Sequence, residues 1–216
     1  MKYKAILFEL DGTLTDPFEG ITKSVQFALQ RFGICEPNLE NLKIFIGSPF
    51  RKSVEALYGL TPEQSEEALK RFRDRLVIKG VYENKLYYGI SDLLRTLKEQ
   101  GVKLAIASSK PHVHINRVLV HFGIETLFDA ISGSELDGRR AEKDEALPYA
   151  LELLGIDNPH DAVMVGHRAH DAEASAKLGM DFIAAAYAAP KDDEFDGFPC
   201  VFKAESIDDM KNFFIK

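Results

Sequence analysis

The 216-residue chain has no tryptophan, two cysteines and no long apolar run. Two cysteines cannot build a disulfide framework, and Cys35 and Cys200 do not have the spacing of a metal site. Both are expected to be small buried hydrophobes in a reducing compartment. The longest weakly polar run, residues 182–190, is far shorter than the roughly 20 residues of a membrane span. Lys2-Tyr3-Lys4 and the apolar run behind it lack the small-residue cleavage site of a secretory leader. A cytoplasmic protein with no membrane partner is therefore expected. Positive charge is also scarce: 27 Lys and Arg stand against 34 Asp and Glu, a net −7. That argues against a cationic surface for nucleic acid. There is no internal repeat and no low-complexity segment.

What is present has the composition of an ordinary globular protein, 45% hydrophobic and 28% charged, which excludes a disordered or collagen-like chain. Short apolar runs at residues 5–10, 104–107, 129–132, 162–165 and 181–186 read as parallel strands buried on both faces. Helical spacing lies between them. Ile90, Leu93, Leu94 and Leu97 share one face. Ile115, Val118, Leu119 and Phe122 share another, after Pro111 and before Gly123. Ala146, Tyr149, Ala150, Leu153 and Leu154 form a third, where Pro148 predicts a late start or a kink. Asp171 is expected to cap a last helix that Gly179 closes.

Alternating strands and helices imply a parallel sheet with right-handed crossovers. Residues 17–88 break the alternation with apolar helical faces only: Phe18, Ile21, Val25, Ala28 and Phe32; Leu39, Leu42 and Phe45; Val54, Leu57 and Tyr58; Leu69, Phe72 and Leu76. This predicts an all-helical insertion after the first strand, with those stripes as its core. Residues 191–197 read as a solvated acidic loop.

Ligands of an open parallel sheet bind beyond the carboxyl ends of the strands. Glu9, Asp11, Gly12 and Thr13 follow the first strand. Ser108, Ser109 and Lys110 follow the second, and Gly166, His167, Arg168, His170 and Asp171 the fourth. Lys143 stands near a helix start between the third and fourth. Carboxylates, a hydroxyl and a lysine on one rim suit a phosphate and a divalent cation.

These four blocks, Phe8-Glu9-Leu10-Asp11-Gly12-Thr13-Leu14-Thr15-Asp16, Ala107-Ser108-Ser109-Lys110-Pro111, Lys143, and Val165-Gly166-His167-Arg168-Ala169-His170-Asp171, resemble those of the haloacid dehalogenase-like phosphohydrolases. The resemblance is to the phosphoglycolate phosphatase and 5′-nucleotidase-like branch. It implies an α/β fold: a doubly wound parallel (Rossmannoid) sheet in the order 5-4-1-2-3, formed by residues 1–16 and 88–216. An inserted all-helical cap domain spans residues 17–87. It also implies a phosphatase acting on a small phosphorylated metabolite through an acyl-phosphate. Glu9 stands at the nucleophile position and Asp11 at the acid/base position. Gly12, Thr13, Ser108, Ser109 and Lys143 would hold phosphate. Mg²⁺ would be held at the positions of Glu9, Asp11 (through its carbonyl), His167 and Asp171. Gly47-Ser48-Pro49 resembles a cap turn of the family and makes Arg51 the candidate cap residue for substrate.

Two positions depart from the family pattern. The family has aspartate where this chain has Glu9, and aspartate where it has His167. One added methylene moves the attacking oxygen by roughly 1 Å or more, a displacement that can cost ~10²-fold. Magnesium prefers oxygen ligands and rarely takes imidazole. Phosphate binding is thus expected to persist and Mg²⁺-dependent attack to be weak or absent. One alternative is a pseudo-phosphatase that binds a phosphometabolite or a protein partner. Another is a hydrolase using Zn²⁺ or Mn²⁺ through His167, His170, Asp171 and Glu9. The remaining histidines, His112, His114, His121 and His160, read as surface or capping residues.

Overall fold

The computed structural model describes residues 2–189 and 193–215. The chain divides into two compact units, residues 1–15 with 86–216, and residues 16–85. Two-residue strands, β2 (Thr15–Asp16) and β3 (Lys85–Leu86), mark the passages between them.

In the first unit β1 (Ala5–Phe8) is buried at all four positions. It pairs in parallel with β4 (Lys103–Pro111) on one side and β6 (Ala162–Gly166) on the other. β5 (Ala130–Ser134) extends the sheet beyond β4; β7 (Asp181–Ala185) and β8 (Phe202–Ala204) extend it beyond β6. The order β7-β6-β1-β4-β5 is the one expected from the resemblance. β8 is an unforeseen sixth strand at the edge, three residues long and with exposed Lys203 at its centre. Helices α4 (Ile90–Glu99), α5 (His112–Phe122), α6 (Lys143–Leu154), α7 (Ala169–Leu178) and α8 (Ile207–Ile215) complete this unit. Leu147, Ala150, Leu151 and Leu154 of α6 share an apolar cluster with Ala5, Leu7, Met164, Phe182 and Phe195.

Several expectations need correction. Pro148 does not delay α6, which begins at Lys143 and runs through it; its buried apolar face outweighs one lost backbone bond. Asp171 is not the residue before α7 but its third, and its Oδ2 accepts from Arg168 N at 3.1 Å. Within the acidic loop Glu194 and Phe195 are not solvated. Glu194 Oε1 accepts from Arg168 Nε at 2.9 Å and from Ala169 N at 2.8 Å, and Phe195 is buried against Phe182. Residues 191 and 192 lie outside the described residues. Cys35 is exposed and Cys200 only partly buried, whereas His114 is buried.

The second unit is helical: α1 (Phe18–Leu29), α2 (Phe50–Tyr58) and α3 (Pro62–Arg75), with a 3₁₀ segment Leu39–Phe45 and a π-helical turn Leu76–Gly80. A Thr61–Gln64 capping box with Pro62 at the first position starts α3. Ile21, Val25, Leu29, Leu42, Phe45 and Val54 form its core. Leu57 is exposed rather than in that core. No helix among the described residues is long and apolar enough to cross a membrane.

Candidate active site

The register of the sheet assembles the site. Phe8 is level with Ile106 and Val165, and Glu9 N continues the ladder to Val165 O at 2.9 Å. Glu9, the end of β4 and the end of β6 therefore reach the rim together. The β4–β5 register shifts between Ala107 and Pro111, an irregularity of the kind that re-aims side chains at a sheet rim.

Glu9 is buried at the centre of this rim. Its Oε1 accepts from the Ser108 hydroxyl and from Leu10 N at 3.0 Å, and its Oε2 is paired with the Lys143 ammonium. Lys143, at the first turn of α6, also donates to Ala107 O at 2.9 Å and lies 2.8 Å from Asp171 Oδ1. One ammonium thus joins Glu9 to Asp171. Burial pushes the Lys143 pKa down, an effect that Asp171 beside it only partly offsets. Burial likewise pushes Asp171 up, but the Lys143 charge and the neighbouring His170 and His167 outweigh it and hold the carboxyl down at about 2. Gly166 makes room for this arrangement, since a Cβ there would lie 2.5–2.6 Å from the Asp171 side chain. Gly166→Ala should therefore cost about 1–3 kcal/mol of stability by overpacking. Urea denaturation of the variant checks this; an unchanged midpoint would contradict the packing.

His167 lies over Gly12. A Cβ on Gly12 would meet its ring at 2.4–2.7 Å, and Gly12 has φ +77°. His167 Nδ1 is 3.4 Å from Thr13 Oγ1, and Nε2 is buried without a hydrogen-bond partner among the described residues. Burial pushes its pKa down to about 3, so the ring is neutral at pH 7. His170 Nε2 stands 3.7 Å from Asp171 Oδ1.

Gly12 N bonds Thr15 O at 2.7 Å and Thr13 N bonds Leu10 O at 3.2 Å, so both donors are engaged within the turn. Ser109 is exposed, and its carbonyl accepts from Ser134 Oγ at 2.9 Å. Arg51, in the helical unit, is paired with Glu66 at 2.8 Å, both side chains 60% exposed. Lys110 follows β4's strand-end serine by two residues and has a role its position alone does not reveal. Its ammonium holds Asp11 Oδ2 at 2.6 Å in a largely buried pair, and its backbone N donates to Ser108 Oγ at 3.1 Å. A lysine two residues after the strand-end serine was the available signal. Tyr187, also unforeseen, donates to Thr13 O at 2.5 Å and meets Tyr87 edge-on.

These side chains do not fit a magnesium ion. Lys143 already supplies the positive charge between Glu9 and Asp171, and the third acidic position is a neutral imidazole. No three His, Cys, Asp or Glu side chains converge as a metal-holding group among the described residues. The softer-metal alternative gains no support from this geometry either.

A parallel sheet whose strand ends gather a carboxylate, a hydroxyl and a lysine has the make-up of a phosphatase-like α/β protein. Residues 6–185 match the haloacid dehalogenase-like hydrolase family, and the chain belongs to it. The chain is 42% identical over 194 residues to a 5′-nucleotidase of Pseudomonas aeruginosa, covering 90% of this chain and 87% of that protein. It is 36% identical over 208 residues to the tyrosine-protein kinase PtkA of Mycobacterium tuberculosis, covering 95% and 70%. The crystal structure of a predicted phosphatase from Clostridium acetobutylicum is 37% identical and superposes with a TM-score of 0.93, covering 100% and 99%.

Proposed function

We propose that the chain is a phosphatase-like protein that recognises a small phosphate monoester at the rim of β1, β4 and β6 and turns it over weakly or not at all with magnesium. The observation that carries this is the Lys143 ammonium joining Glu9 and Asp171 beside a neutral His167. Ser108 and Lys143, the groups that suit phosphate oxygens, are in place on one side of the rim. The groups that would hold a dication are not.

In any turnover the roles follow from position. A Glu9 carboxylate oxygen attacks phosphorus as the ester P–O bond breaks, giving an acyl-phosphate. Asp11 delivers a proton to the departing alkoxide oxygen, then takes one from the water whose oxygen displaces the enzyme carboxylate. Lys110 holds Asp11 in place for both transfers. The helical unit is the cap that selects substrate by shape. The exposed Arg51–Glu66 pair is of a kind worth little, so Arg51 can exchange it for a substrate anion. The similarity to a 5′-nucleotidase supports a nucleotide-sized monoester as the first substrate to try.

The test is hydrolysis of a generic aryl phosphate with Mg²⁺, Mn²⁺, Zn²⁺ or no metal, by the wild type and by Glu9→Asp/His167→Asp. A wild type close to the uncatalysed rate and an active double variant are expected with Mg²⁺. Equal activity would overturn the damaged-site reading. Wild-type activity with Zn²⁺ alone would replace it with a softer-metal hydrolase.

A further inference from the structure

The Ser108 and Lys143 donors are already engaged. A serine hydroxyl has one proton to donate, and Ser108 gives it to Glu9 Oε1 while accepting from Lys110 N. An ammonium has three, and Lys143 faces three acceptors: Glu9 Oε2, Asp171 Oδ1 and Ala107 O. An oxyanion can take donors from both Ser108 and Lys143 only by displacing an acceptor. Ala107 O is backbone inside β4 and cannot leave. Asp171 is fully buried and anchored through Oδ2 to Arg168 N at 3.1 Å. Glu9 alone takes a donor from both Ser108 and Lys143, and it retains some exposure at the rim.

We infer that Glu9 is the resident occupant of the oxyanion cradle: its carboxylate stands where a phosphate group would bind, and a phosphate binds only in exchange for it. The added methylene gives the carboxylate the reach to do this; an aspartate here stops one carbon–carbon bond short, about 1.5 Å. Lys143 serves as the fixed cation of the site, so the exchange needs no metal. This rests on the rim being a phosphate site, as proposed above. It adds that the nucleophile position has become a competitor of the ligand.

Inorganic phosphate is the probe, titrated by calorimetry into the full chain at pH 7 with a metal chelator present. Glu9→Ala removes the competitor and the like charge facing the incoming anion. It should bind phosphate at least about tenfold more tightly than the wild type. Glu9→Gln keeps the shape and removes the charge, and should gain at least about threefold. It decides alone if the alanine variant does not fold. A wild type that binds as tightly as either variant overturns the inference, as does an absence of binding in all three. If Glu9→Ala gains nothing while Glu9→Asp/His167→Asp hydrolyses the aryl phosphate, the inference falls and the proposed function stands. If Glu9→Ala gains and the double variant is inactive, the attribution of weak turnover to Glu9 and His167 falls and the oxyanion cradle stands.

Discussion

Glu9→Asp/His167→Asp should raise kcat/KM for an aryl phosphate with magnesium at least about 10²-fold over the wild type. The Glu9 half of that figure is positional, since displacement of a reacting atom by about 1 Å can cost 10²-fold by itself. Shortening the side chain also withdraws the carboxylate from the Ser108 hydroxyl and part of the Lys143 ammonium, returning both to the substrate. The His167 half is electrostatic. A ring with its pKa held near 3 carries no charge at neutral pH, whereas aspartate supplies an anionic oxygen of the kind magnesium prefers. It is also smaller than the ring that covers Gly12. The two changes serve one site, so they should not act independently. Each single variant should recover much less than its share, because a placed nucleophile without a dication, or the reverse, leaves the machinery incomplete. Steady-state kinetics on the four chains measures this directly; a double variant within threefold of the wild type would contradict it.

Lys143→Met should destabilise the protein by about 3–5 kcal/mol, the cost of leaving buried charges without their partner. The ammonium is the contact common to Glu9 and Asp171, both buried. Methionine fills similar volume, so packing loss adds little. At roughly 2–4 °C per kcal/mol for a chain of this size, the melting temperature should fall by about 10 °C. The effect has a definite pH dependence. Asp171 has a folded-state pKa of about 2, below the roughly 3.9 of an unperturbed aspartate. Its contribution is therefore complete above about pH 4 and is lost as pH falls towards 2. In the variant burial acts without the ammonium and raises the carboxylate pKa, so the variant gains from protonation at higher pH, as pH falls towards about 4. Wild type and variant should therefore converge as pH falls from 7 to 2. Chemical denaturation across that range measures both, and a neutral-pH difference under 1 kcal/mol would mean that the ammonium does not bind the site together.

The architecture was legible where burial is two-sided. β1, β4, β5, β6 and β7 appear as short apolar runs because successive residues along them are buried. Phe202–Ala204 does not, being three residues at the sheet edge with an exposed lysine at its centre. Pro148 misled because a local rule about backbone donors was outweighed by a buried helix face. The acidic loop misled because composition cannot show that one carboxylate, Glu194, bonds Ala169 N at the start of α7.

At the site, residue types and order on the rim were legible, and so was the substitution at each of two positions. The pairing was not. Glu9 and Lys143 are separated by 134 residues, and Asp11 and Lys110 by 99. Only the sheet register and the start of α6 bring their charged ends together. The extra methylene of Glu9 reads in sequence as a misplaced nucleophile. In the folded chain the same methylene lets it hold the donors on which a phosphate would depend.

Lys143 and His167 stand in place of a dication at this rim. Calorimetric titration of Mg²⁺ into the wild type and into Glu9→Asp/His167→Asp at pH 7 tests it most directly. The wild type should give no saturable heat at millimolar Mg²⁺, and the double variant should show one-site binding. Saturable one-site binding in the wild type, as tight as in the double variant, would contradict it.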